Sequence, residues 1–230
     1  MAKSRGSGLT GFSSEERTDA RTGSYKSWNE TERQDEMSHF QGEVDRWRDK
    51  MSAAEEDAVA TYTGSSYFDI NDYLRNDKYG TGADQYYEQL IRQCDNGLKK
   101  FRLNENIEVH RRSTDDLLRS LNVRMSDFVD EWGDLDRTSY VNAIREKVGS
   151  LVHDKAFMST STQRDTWSGS IHYIIRVPRG SSGAYVEHIS RNAGEREFLL
   201  NRGTQLRVDG AELVGGYPTV TLTVVGRKLK

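Results

Sequence analysis

The sequence predicts an α+β protein in which helices come first and a strand-rich core comes last. Three observations carry that prediction. In the first half, Met37, Phe40, Val44, Trp47 and Met51 recur at three- and four-residue steps, the period of one buried helix face. Beyond residue 155 the pattern changes to short runs rich in β-branched and aromatic residues, separated by Gly, Ser or Asn turns. Helices segregated from strands, rather than alternating with them, suit a mixed or antiparallel sheet.

Taken in order, residues 1–28 are rich in Ser, Gly, Arg, Thr and Glu and poor in apolar groups. They are expected to form a flexible arm, because they cannot bury enough surface to offset their own ordering entropy. Residues 29–230 are expected to form a single domain, mainly helical over 29–102 and strand-rich over 103–230. After the Met37–Met51 helix, Ser52 is an N-cap with acids in the following turn, and it opens a second helix that runs to about Thr61 before "TGSS" breaks it. "YFDINDYLRND" and "ADQYYEQLIRQCDNGLKKF" read as two more helices. "IEVHRRS" alternates as a strand, Ser113 or Thr114 caps a short helix over "DDLLRSL", and "TSYVNAIREKVG" supplies another. "AFMSTST", "SIHYIIRVP", "GAYVEHIS", "EREFLL", "GTQLRVDGAELVG" and "TVTLTVVGRKL" read as the strands of the core.

With 230 residues, 34% of them hydrophobic, 30% charged and two prolines, the chain reads as a soluble globular protein of one or two compact units. A formal net charge of -3 gives no global attraction for a polyanion, so nucleic acid is not favoured as a partner. A single cysteine, Cys94, excludes an internal disulfide, and its helical spacing from Leu90 and Ile91 marks it as a buried thiol. No paired Cys/His arrangement suggests a metal, so none is expected. No run reaches the roughly 18 apolar residues of a membrane span, and the N-terminus lacks the apolar core of a secretory signal. The chain is expected to be made in a cytoplasm, with no membrane partner, and to act as a monomer.

Three short motifs can carry chemistry. Arg111 and Arg112 end the "VHRRS" strand, where a guanidinium fork on a rigid element suits a phosphate. "FMSTST" strings together Ser159, Thr160, Ser161 and Thr162, hydroxyls able to orient a carboxylate. "GEREF" places Glu195 and Glu197 ahead of Phe198. In an extended strand these two carboxylates stand side by side, roughly 7 Å apart, with Arg196 facing away. Each motif alone is also ordinary surface or strand chemistry. A carboxylate pair alone also fits a glycosidase, which leaves the arginine and the hydroxyls unexplained.

In this order and at these separations, a strand arginine, Ser-Thr-Ser and Glu-x-Glu resemble the mono-ADP-ribosyltransferase family, most closely its arginine-modifying bacterial toxins. The flanks "YTGSSYFDINDYLR" and "VPRGSSGAYVEHIS…AGEREFLLNRGTQLRV" are similar to that family as well. The likeness covers about residues 50–228. It implies a helical part packed on a mixed or antiparallel β-sandwich, with NAD as substrate in a cleft and no metal. It implies transfer of ADP-ribose to an arginine of a target protein, whose identity the sequence does not name. Glu197 would face the positive charge that develops on the sugar and hold a ribose hydroxyl. Ser159 would fix its rotamer, and Thr160 and Ser161 would complete the wall under nicotinamide. Arg111, with Arg112 beside it, would meet a phosphate, and Glu195 would receive the acceptor guanidinium.

Three departures stand out. Asn192 occupies the place, three before the first glutamate, where actin-modifying members carry an aromatic residue, which argues against actin as the target. After the hydroxyl motif "TQRDTWSGS" is short, so Arg164 and Trp167 are the candidates for the cation and the aromatic ring that a longer loop usually supplies. His110 stands where an aromatic residue is common. Two other readings stay open: hydrolysis of NAD with water as acceptor, and a catalytically silent NAD- or partner-binding module of the same fold. Delivery into a host or target cell fits the resemblance to toxins.

Overall fold

The computed structural model describes residues 23–29 and 31–229. Residues 1–22 of the expected arm lie outside the described residues. The rest of the arm is fixed: Lys26 bridges Ile107, donating its N–H to the Asn106 carbonyl at 3.0 Å and accepting from Glu108 N–H at 2.8 Å. Trp28 is buried against Phe40. One indole and one pair of backbone bonds thus tie a stretch of polar composition to the helices and to the strand that begins at Ile107.

Helix α1 (Arg33–Arg48) buries Phe40, Val44 and Trp47, and the Trp47 indole donates to the Gly97 carbonyl at 2.7 Å. Helix α2 (Ala53–Thr61) begins with a reciprocal cap in which Ser52 and Glu55 each bind the other's backbone N–H. The expected break at "TGSS" is a single wide turn over Tyr62–Ser66, kinked at Gly64, that leads directly into α3 (Tyr67–Arg75). Helix α4 (Gln85–Lys99) is capped by Asp84 and carries the buried Cys94. Gly97 lets α4 pass close to α2, since a Cβ there would stand 3.3 Å from Val59 and 3.4 Å from Glu55. The short helix expected over "DDLLRSL" is reduced to a 3₁₀ turn at Arg119–Leu121. Asp115, the first residue of that run, commits its carboxylate to Arg119 and to the backbone N–H of Met125. Helix α5 (Arg137–Arg145) follows.

The strands are β1 (Ile107–Ser113), β2 (Leu151–His153), β3 (Met158–Ser161), β4 (Ile171–Val177), β5 (Gly183–Tyr185), β6 (Glu197–Leu200), β7 (Thr204–Val214) and β8 (Tyr217–Arg227). They form one eight-stranded sheet in the order β2-β7-β8-β4-β1-β3-β6-β5. All pairs are antiparallel except β4 with β8, so the sheet is mixed. The five-stranded and three-stranded halves join where β1 meets β3, at the pair His110 and Ser161. One continuous apolar core runs from Trp28 and the helices through Phe198, Leu199 and Leu200 of β6 to Val224 of β8.

Candidate active site

A cleft of about 430 Å³ opens where the elbow between α2 and α3 lies over the junction of the two half-sheets. Arg111 and Arg112 from β1, Ser159 from β3, Glu197 from β6, and Trp167, Asn192 and Glu195 from loops line it. Of the residues singled out in the sequence, these share one site, and Thr160, Ser161 and Arg164 do not line it.

Glu197 is the first residue of β6 and is 2% exposed. Burial pushes its carboxyl up to about 7, aided by the charges of Glu195 and Glu187, while a hydrogen bond from Ser159 and the Arg111 guanidinium hold it down. Glu195, two residues earlier, is only half-buried. The pair is not brought together by strand alternation as the sequence suggested. The strand begins at Glu197, Glu195 lies in a turn, and the intervening Arg196 is left-handed at φ 49.

Arg111 donates to the Ser159 carbonyl at 2.7 Å, fastening β1 to β3 beside the cleft, and its other N–H groups make no hydrogen bond among the described residues. Arg112 is committed differently. It grips Asp165 at 3.1 and 2.7 Å and stacks over Tyr217, 5.3 Å from the ring centre, so its charge is already matched. Arg164 is exposed, outside the cleft, and its charge falls on His110 and His172 instead. Thr160 and Ser161 turn to the backbone. Thr160 donates to the Phe198 carbonyl, and Ser161 donates to the Glu195 carbonyl at 2.7 Å. They therefore clamp β3 to β6 and to the Glu195 turn, as hydroxyls on adjacent strands can. His110 meets His172 at 3.2 Å, and burial drives both rings to the neutral form, to about 4 and about 3.

The helical half contributes residues that the motif reading passed over: Tyr62, Thr63, Tyr67, Phe68, Asn71, Asp72 and Arg75. Asn71 donates to the Tyr62 hydroxyl at 2.9 Å, and burial together with nearby Glu197 holds that phenol above its ordinary value, so it stays a donor. Arg75 binds Asp154 through both nitrogens at 3.1 and 2.6 Å. The signal was available, since Tyr67, Asn71 and Arg75 are spaced four apart and so share one helix face.

A helical elbow over a mixed sheet, with a buried carboxylate on β6, a hydroxyl on the neighbouring β3 and an arginine on β1 beyond it, is the arrangement of the ADP-ribosyltransferase fold. The sequence model of the ADP-ribosyltransferase exoenzyme family matches residues 38–225, and the chain belongs to that family. It is 27% identical over 188 residues to the NAD(+)–arginine ADP-ribosyltransferase EFV of Enterococcus faecalis, covering 81% of this chain and 34% of that protein. The chain thus spans about a third of that relative's length. Among solved structures, the C3 exoenzyme of Clostridium limosum superimposes with a TM-score of 0.74 at 20% identity, covering 88% of this chain and 98% of that one. A C3 protein from S. aureus, solved with NAD, superimposes with a TM-score of 0.72 at 19% identity, covering 88% and 99%.

Proposed function

We propose that the chain transfers ADP-ribose from NAD to an arginine side chain of a target protein and releases nicotinamide. The observation that carries this reading is the contrast between the two glutamates of one cleft. Glu197 is buried against Ser159 and Arg111, whereas Glu195 is half-exposed at the mouth. Two carboxylates in unlike environments suit two different duties. The name of the Enterococcus faecalis relative supports an arginine acceptor.

The residues fit NAD. Arg111 has free donors for a phosphate, and Tyr62, Tyr67 and Trp167 offer aromatic walls within the same cleft. Cleavage of the bond to nicotinamide leaves positive charge on the ribose. Glu197, ionised, stabilises that charge more than it stabilises the ground state, which is what lowers a barrier. Ser159 and Arg111 oppose the upward shift that burial imposes on this carboxyl and so favour its ionised form. Glu195 attracts the acceptor guanidinium and takes its proton as it attacks.

Nicotinamide release and modification of an arginine analogue, measured in parallel, test the division. Glu197→Gln should lower both by about 10²-fold or more. Glu195→Gln should keep hydrolysis and lose transfer, because an amide neither attracts a guanidinium nor accepts its proton. Full transfer by Glu195→Gln would remove the case for an arginine acceptor. Free ADP-ribose with no labelled protein, from the unaltered chain in a cell lysate with labelled NAD, would favour water as the acceptor.

A further inference from the structure

Glu36 lies on α1, distant in sequence from every motif, and is fully buried. A carboxylate without contact to water needs partners. Glu36 accepts from the Thr162 hydroxyl at 2.5 Å, from the Gln163 amide at 3.2 Å and from the Arg196 guanidinium at 3.4 Å. Arg196 is itself buried, and it is the residue between the two glutamates of the cleft. Its backbone is left-handed, a conformation that a side chain with a Cβ holds only when its surroundings enforce it. Those surroundings are visible. The Glu187 carboxylate accepts from the backbone N–H of Gly194 at 2.7 Å and of Arg196 at 2.8 Å, and the Arg196 carbonyl accepts from Thr162 N–H at 3.1 Å.

The two glutamates are held by different means. Glu197 belongs to β6 and is kept in place by the ladder to β3 and by Val186 N–H, which donates to its carbonyl at 2.9 Å. Glu195 precedes the strand. Its place depends on the turn at Arg196 and on the Ser161 hydroxyl that binds its carbonyl. Loosening Arg196 therefore frees Glu195 and leaves Glu197 where the sheet puts it.

We infer that Glu36 is a positioning residue for the transfer step: by pairing with Arg196 it locks the left-handed turn that directs Glu195 into the cleft beside Glu197. Helix α1 thereby takes part in the choice between an arginine acceptor and water. This rests on the division of roles proposed above.

The test uses Glu36→Gln, which keeps the shape and the acceptor oxygen but removes the charge that holds Arg196. A second variant, Arg196→Gly, relieves the left-handed backbone but deletes the same pair. Nicotinamide release, transfer to an arginine analogue and the pH midpoint of nicotinamide release are measured on each, with circular dichroism as the folding control. In both variants transfer should fall at least tenfold while nicotinamide release stays within about twofold, following the loss of a group used in one step alone. The pH midpoint should also move down. The groups acting on Glu197 are Ser159, Glu195, Arg111 and Glu187, with Tyr62 and Cys94 close by. Of these, Glu195 is the raising charge that drifts away. A purely structural role would leave that midpoint unchanged. Equal loss of both activities, retention of both, or failure of both variants to fold overturns the inference. Absence of transfer in the unaltered chain would instead sink the proposed function.

Discussion

Glu197 links activity to stability, and one substitution reads both. Its carboxyl is raised from 4.5 to about 7 in the folded protein. A difference of that size corresponds to roughly 3 kcal/mol in favour of the neutral acid. Between these two values the folded chain keeps a proton that the unfolded chain has released, so stability falls as pH rises through this window and is lowest above about 7. Glu197→Gln removes the charge that creates the cost and leaves an amide oxygen to accept from Ser159. At pH 8 the variant should be more stable than the parent by up to ~3 kcal/mol, or on the order of 5–10 °C in Tm for a domain of this size. At pH 5 the two should melt within a degree or two of each other, because the parent's acid is then protonated and neutral as well. The assay is thermal unfolding by circular dichroism across pH 5–8, with nicotinamide release measured on the same samples. A gain in stability confined to high pH, together with lost cleavage, is the expected result. A variant destabilised at pH 8, or stabilised equally at both ends, would refute the claim that burial of a charge sets the energetics of this site.

Two further predictions follow from the same strands. Ser159→Ala removes the hydrogen bond that lowers Glu197, so the midpoint of nicotinamide release against pH should rise by about one unit, the scale of one bond to a carboxylate; an unchanged midpoint would show that Ser159 does not reach it. The neutral His110–His172 pair should cost the fold stability as pH falls from 6.5 toward about 4, since the unfolded chain binds protons that the buried rings exclude. Replacing both rings by Phe should flatten the fall in Tm over that range, and an equally steep fall would place the acid sensitivity elsewhere.

What the sequence made legible is what local pattern encodes. Periodicity marked α1, α2, α3 and α4, and alternation with turn residues marked β1, β4, β7 and β8, because each signal lies within its own element. The short strand β2 was missed, and "DDLLRSL" was over-read because the carboxylate of Asp115 was needed at Met125, ten residues on. Of the residues that line the candidate cleft, Glu197, Ser159 and Arg111 were singled out through spacing shared with a family. Arg164 was not, since which loop side chain turns inward is settled by tertiary packing. The pairing of Glu195 with Glu197 was named for the wrong reason. Strand alternation would have produced it without cost, whereas the chain uses a left-handed arginine held by Glu36 and Glu187, residues 160 and nine positions from it. Such a device leaves no local trace, because every one of its members is ordinary in its own stretch of sequence. It also explains why the turn can differ from the strand that follows it. A strand fixes both carboxylates equally, while a turn held by its own ion pair and hydrogen bonds allows one to be set independently of the other, and the division of roles proposed above would use that independence.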